Sequence, residues 1–202
     1  MLYCLIDNGH GATTSGKASP DRSILEYLYA REIAAALYSR LIDVPDIKPV
    51  LIVPELQDIS LQTRVRRINK YCDRYGAKNC IMISIHLNAA GSGAYNEWTN
   101  ATGWECWTTR GQNNSDFLAE CMYDAAEQTL TGQKIRTDYT DGDRDKEAGF
   151  AIIKGANCPA VLTENFFMDN KTDAKYLLSE QGFNNIVDVH VQAILKWQQT
   201  MG

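Results

Sequence analysis

Cys80-Ile81-Met82-Ile83-Ser84-Ile85-His86 is almost continuously apolar, carries three β-branched isoleucines and is too short for a typical helix. A strand buried on both faces of a sheet reads this way. Upstream, Leu2-Tyr3-Cys4-Leu5-Ile6-Asp7 has the same character and stops at the turn-rich Asn8-Gly9-His10-Gly11. Between the two, Ile24, Leu28, Leu37 and Leu41, with Ala34 to Ala36 among them, recur at helical spacing over residues 23–42, until Asp43 and Pro45 end the segment. Residues 49–53 read as a short buried strand. Residues 60–75 read as an amphipathic helix with Leu61, Val65, Ile68 and Tyr71 on one side and Gly76 at its end.

Beyond His86, a small-residue and polar stretch to Thr102 predicts an exposed loop, and residues 103–108 a third strand. A helix over 115–130 precedes an Asp-rich stretch over 137–146. Two apolar runs follow, 150–153 and 160–163, and a last helix over 184–198. Strands apolar on both faces that alternate with helices predict an α/β fold: a single domain with a largely parallel twisted sheet flanked by helices on both faces. In such sheets the working residues gather beyond the carboxyl ends of the strands.

Composition agrees with one unit over 1–202, since 202 residues at 45% apolar and 22% charged describe an ordinary globular domain. No repeat, low-complexity tract or Pro/Ser-rich linker marks a second domain. Twenty basic against twenty-five acidic residues give a net charge of −5, which argues against a nucleic-acid partner. No apolar run approaches the ~18 residues of a transmembrane segment, and no basic-then-apolar opening resembles a secretion signal. None of the six cysteines is spaced C-x-x-C, so free, mostly buried thiols are expected rather than a zinc knuckle or a disulfide framework.

Histidine is the scarcest chemical resource, with only His10, His86 and His190. Two of them stand at or just past the end of an apolar strand, and in a parallel sheet both reach the same edge. Glu26 lies in the first turn of the helix that follows the His10 loop, a place where the helix N-terminus favours a carboxylate in any case. Glu164 ends the run Ala160-Val161-Leu162-Thr163 and precedes Asn165-Phe166-Phe167. A carboxylate in such surroundings is desolvated, hence paired or functional. Two imidazoles and a carboxylate, with a further Glu at the same edge, are the minimum kit for a hydrolytic zinc site.

These residues lie in segments that carry a resemblance. Leu5-Ile6-Asp7-Asn8-Gly9-His10-Gly11, Glu26, Ser84-Ile85-His86-Leu87-Asn88-Ala89 and the stretch from Pro159 through Glu164 to Asn170 resemble the ordered motifs of the amidase-3 family, the zinc-dependent N-acetylmuramoyl-L-alanine amidases. The segments Leu61 to Asn69 and Gly103 to Trp107 are similar to the family's helix before, and strand after, the second-histidine strand. The resemblance implies a phosphorylase/hydrolase-like sheet and one Zn²⁺ per chain on His10, Glu26 and His86. It makes Glu164 the catalytic carboxylate, places Arg64 and Asn88 at the substrate, and names peptidoglycan as that substrate. Four positions depart from the family pattern: Asn8 for a proline, Ala12 for a glycine, Ala30 for an asparagine, and Asn165 for a small or apolar residue. None removes a ligand or the catalytic glutamate.

Without a leader or a separate cell-wall-binding domain, the expected role is a lysis enzyme made in the cytoplasm and released to the wall; the second expectation is a host wall or periplasmic enzyme whose signal has been removed. Two rival readings belong to other classes. Gly11-Ala12-Thr13-Thr14-Ser15-Gly16-Lys17 fits the phosphate-loop pattern, but Ala18 stands where a magnesium-binding hydroxyl belongs and Pro20 falls early in the required helix. A catalytically silent wall-binding module is the other, and the intact ligand trio with Glu164 speaks against it. The stretch Asp138, Asp141, Asp143, Asp145 and Glu147 lacks the glycine and glutamate spacing of a twelve-residue calcium loop and reads as a solvated loop. His190 reads as structural or surface. Trp98, Trp104 and Trp107 fit sugar stacking and core packing equally.

Overall fold

The computed structural model describes residues 1–201. Strand β1 (Leu2–Asn8) leads to helix α1 (Glu26–Leu41), then β2 (Ile47–Leu51), α2 (Leu61–Tyr75) and β3 (Cys80–Asn88). After the long loop come β4 (Glu105–Thr108), α3 (Asn114–Thr129), the two-residue β5 (Lys146–Glu147) and the short α4 (Ala151–Lys154). Strand β6 (Ala160–Phe167), α5 (Lys171–Leu177) and α6 (Glu180–Met201) complete the chain.

The strands form one sheet in the order β2-β1-β3-β6-β4-β5. The first four are parallel, β4 runs antiparallel to β6, and β5 pairs parallel with β4. Alternation along each strand splits the core between two faces. Cys4, Ile6, Ile81, Ile83 and Val161 pack with Ile33 and Leu37 of α1, Leu118 and Met122 of α3, and Val189 and Ile194 of α6. Leu5, Met82 and Leu162 face the other way, onto Ile68 and Cys72 of α2 and Ile153 of α4. Helices therefore cover both faces, as the doubly apolar strands require.

Local expectations fare unevenly. The run over 150–153 supplies the single turn of α4 rather than a strand. Helix α5 carried no periodic signal of its own. On α2 the buried stripe is Arg64, Ile68 and Cys72, whereas Leu61 is half exposed. All six cysteines are free and buried. Two features position the chemistry. The chain leaves β1 for β2 on one side and returns to β3 on the other, so the carboxyl ends of β1 and β3 flank a crevice at the point where strand order reverses. The β3–β6 register also shifts between His86 and Asn88, a bulge in which Phe166 takes φ 68°.

Candidate metal centre and active site

His10 lies in the turn after β1 at φ 60°, a conformation side chains rarely adopt outside constrained sites. Arg64 of α2 holds it there. The guanidinium donates through Nη2 to the His10 carbonyl at 2.9 Å and to Asp58 at 3.1 Å, through Nη1 to the Asn8 carbonyl at 2.6 Å and to Asp7 at 2.9 Å, and through Nε to the Ile59 carbonyl at 2.9 Å. An arginine has five N–H donors, and all five are spent inside the fold on a residue only 2% exposed. This corrects the expectation that Arg64 touches substrate: it positions the His10 turn. Asp7 also accepts from Ser84 Oγ at 2.6 Å, which ties the ends of β1 and β3 together. Gly9 lets the strands close: a Cβ there would fall 2.4 Å from the His86 ring.

Glu26 is the first residue of α1 and is 1% exposed. Its Oε1 lies 3.1 Å from His86 Nδ1 and 3.3 Å from His10 Nε2, and accepts from the Leu87 N–H at 3.2 Å. The two imidazole rings meet edge to face, with centroids 5.0 Å apart. His10, Glu26 and His86 thus bring one donor atom each within 4.8 Å of one another, a group able to hold a metal ion. Burial alone would push the Glu26 carboxyl up, but the two histidines outweigh it and hold the acid well below the usual carboxylate range. For His86 burial acts to lower the pKa, and the facing carboxylates of Glu26 and Glu164 more than reverse it.

The donors fit zinc. A tetrahedral centre with bonds of ~2.0–2.1 Å keeps its ligand atoms roughly 3.3 Å apart, which matches the two observed separations. Glu26 Oε2 is moreover buried without any hydrogen-bond partner, an orphan that a cation at this point would satisfy.

Glu164 sits beside the trio, directly opposite His86 on β3 and opposite Glu105 on β4. Its Oε2 is also buried and unpartnered. Desolvation, with Glu26 and Glu105 adding to it, lifts this carboxyl to about 8 against the opposing pull of His86 and Lys17. Asn88 stands at the rim, half-buried, donating to Glu105 at 2.7 Å and accepting from the Ala89 N–H at 2.9 Å. Glu105, which sequence reading passed over, is a buried hub bonded to Arg136, Lys146, Asn88 and Trp107. Its signal was faint: a lone acid in a short run between two tryptophans.

The remaining candidates fall outside the site. His190 is fully buried on α6, 3.0 Å from Thr163 Oγ1 and 2.7 Å from the Ile186 carbonyl, in keeping with a structural role. Trp104 is core, and its Nε1 donates to Asn165. Trp107 packs on Phe150, and Trp98 lies under Lys171. The segment Gly11 to Lys17 forms turns, and α1 begins only at Glu26, so no helix N-terminus follows Lys17 to receive a phosphate. No helix among the described residues is long and apolar enough to cross a membrane.

Known proteins share this fold. The catalytic domain of CwlV, an N-acetylmuramoyl-L-alanine amidase from Bacillus (Paenibacillus) polymyxa var. colistinus, superimposes with a TM-score of 0.79 at 25% identity, over 98% of this chain and 99% of that one. An N-acetylmuramoyl-L-alanine amidase of Clostridium difficile 630 gives a TM-score of 0.82 at 24% identity, over 100% and 98%, a likeness of fold. In sequence, the chain is 26% identical over 190 residues to an endolysin of Bacillus phage SPP1, a match that covers 94% of this chain but only 63% of the endolysin. The family model Amidase_3, described as N-acetylmuramoyl-L-alanine amidase, matches residues 4–196, and the chain belongs to that family.

Proposed function

We propose that the chain hydrolyses the amide between the lactyl group of N-acetylmuramic acid and the L-alanine of the peptidoglycan stem peptide, with one Zn²⁺ held by His10, Glu26 and His86. The observation that carries this reading is the convergence of three ligand atoms beside an unpartnered Glu164, at the strand-order reversal of a family member. Bound in such a set, zinc polarises a carbonyl and lowers the pKa of water to roughly 7. The protein's own groups do the rest. Glu164 takes a proton from the attacking water as the new C–O bond forms, and returns it to the alanine nitrogen as the C–N bond breaks. Burial raises the proton affinity of this carboxyl, which favours its taking the proton from water before it gives that proton up to the leaving nitrogen. His10 and His86 are oriented by Glu26 and by the Arg64 clamp, so they need little reorganisation to bind metal. Asn88 keeps one amide N–H beyond its bond to Glu105 and is the rim contact we assign to substrate. In the cell we read the chain as a lysis enzyme, a reading supported by the endolysin match over 94% of its length.

The test is elemental analysis paired with an assay for new amino-terminal L-alanine released from purified peptidoglycan. One zinc per chain together with amine release is the expected outcome, and His86→Ala should lose both. Mg-ATP stabilising the protein while zinc does not, or zinc binding without any amine release, would overturn the reading.

A further inference from the structure

The Asp-rich stretch is a solvated loop through Gly142, as its composition predicts, but its inner end turns into the fold. Asp145 is 1% exposed. Its Oδ2 accepts from Thr108 Oγ1 at 2.5 Å, while its Oδ1 is buried with no partner. Asp143 Oδ1 is likewise buried and unpartnered. Asp116, in the first turn of α3, uses one oxygen to accept from the Asn113 N–H in a capping box. One carboxylate oxygen from each of Asp116, Asp143 and Asp145 lies within 4.8 Å of the others.

No cation of the chain answers these three charges. Among the described residues none of them has an ion-pair partner. Arg144, between the two inward acids, turns outward to Glu120, Asp124 and Glu127, and Lys146 turns to Glu105. Asp7 and Glu105 are matched by cations, Asp7 by Arg64 and Glu105 by Arg136 and Lys146, and the buried Asp169 and Asp173 each accept from two backbone N–H groups. Burying unmatched carboxylates is costly unless something neutralises them. A proton shared between Asp143 and Asp145 would serve only that pair and leave Asp116 facing it.

We propose that Asp116, Asp143 and Asp145 form a second metal site that takes a hard divalent cation, Ca²⁺. An all-oxygen, carboxylate-rich donor set selects such ions over zinc. Donors from an irregular loop and a helix turn suit the pliant coordination of Ca²⁺ better than the strict octahedron of Mg²⁺. The site lies near Thr108, at the end of β4 away from Glu105 and Glu164. Its role is to fasten the 137–147 loop to α3 and to the sheet. It takes no part in the hydrolysis.

Titration calorimetry and thermal unfolding of the zinc-loaded protein, in buffer stripped of calcium and then given CaCl₂, test this. The expected result is a single calcium site and a Tm rise of about 3–6 °C at tenfold the Kd, both lost in Asp143→Asn. Asp143 is half-buried, so that variant should fold, and Asp145→Asn serves as a second. Absence of heat and of any Tm shift up to about 10 mM Ca²⁺, the weak end of known protein calcium sites, overturns the proposal. Undiminished binding in Asp143→Asn overturns it too, by placing the ion elsewhere. A response to Mg²⁺ at least as large as that to Ca²⁺ overturns the calcium assignment.

Discussion

Arg64 shows how a single side chain can act on chemistry it never touches. Its five donors are divided among the carbonyls of Asn8, His10 and Ile59 and the carboxylates of Asp7 and Asp58, so the turn that presents His10 is held from behind. Arg64→Met would keep much of the volume but strand Asp7 as a buried charge without its partner. A loss of about 3–5 kcal/mol is expected from breaking one side of such a pair. Urea unfolding measures it, and zinc content should fall with it because the His10 carbonyl loses its anchor. An unchanged unfolding midpoint would show that the clamp is dispensable. The residue was legible as part of a family motif, but its orientation was not: an arginine on an amphipathic helix is ordinarily placed on the wet face, and only the tertiary fold reveals that Arg64 heads the buried stripe with Ile68 and Cys72.

Among elements, β6 joins the site to the core. Glu164 points to the cleft, while its neighbours hold the strand from the far side. Asn165 donates to the His86 carbonyl at 3.0 Å and to Thr163 Oγ1 at 3.1 Å, accepts from Trp104, and Thr163 meets His190 of α6. The departure at Asn165 thus has a local account, since this chain supplies polar partners for its amide. His190 carries a pH signature. Burial depresses its pKa from 6.5 to about 4. The unfolded chain therefore takes up the proton first, and stability is lost as pH falls from 6.5 toward 4. The whole effect is worth about 3 kcal/mol. His190→Gln should flatten the stability profile across that window; an equally steep profile in the variant would show that other groups set the acid limb.

Strands β1, β3 and β6 were readable because burial on both faces writes a continuous apolar run. The strand over 103–108 was readable too, as β4, but its antiparallel direction was not, and neither were the two-residue β5 and the short α5, because these depend on pairing and docking rather than on any period in the sequence. His10, His86 and Glu164 were readable by standing at strand ends. The burial of Asp145 was not, since nothing in an Asp-rich loop announces which carboxylates turn inward.

At the scale of the molecule, the two acidic centres lie toward opposite ends of β4. Toward Glu105 the strand borders Glu164 and, across β6, the histidine trio; toward Thr108 it borders the three aspartates. The net charge of −5 gives this domain no general attraction to an anionic polymer. The candidate metal ligands come from the turn after β1, from α1 and from β3, and Glu164 comes from β6, so the two can be uncoupled by mutation. Glu164→Gln keeps the shape and removes the proton acceptor. Measured on zinc-analysed protein with purified peptidoglycan, this variant should retain one zinc per chain and wild-type unfolding, yet release amino-terminal L-alanine about 10²–10⁴ times more slowly. Near wild-type release from a zinc-loaded Glu164→Gln protein would contradict the assignment of Glu164 as the proton carrier.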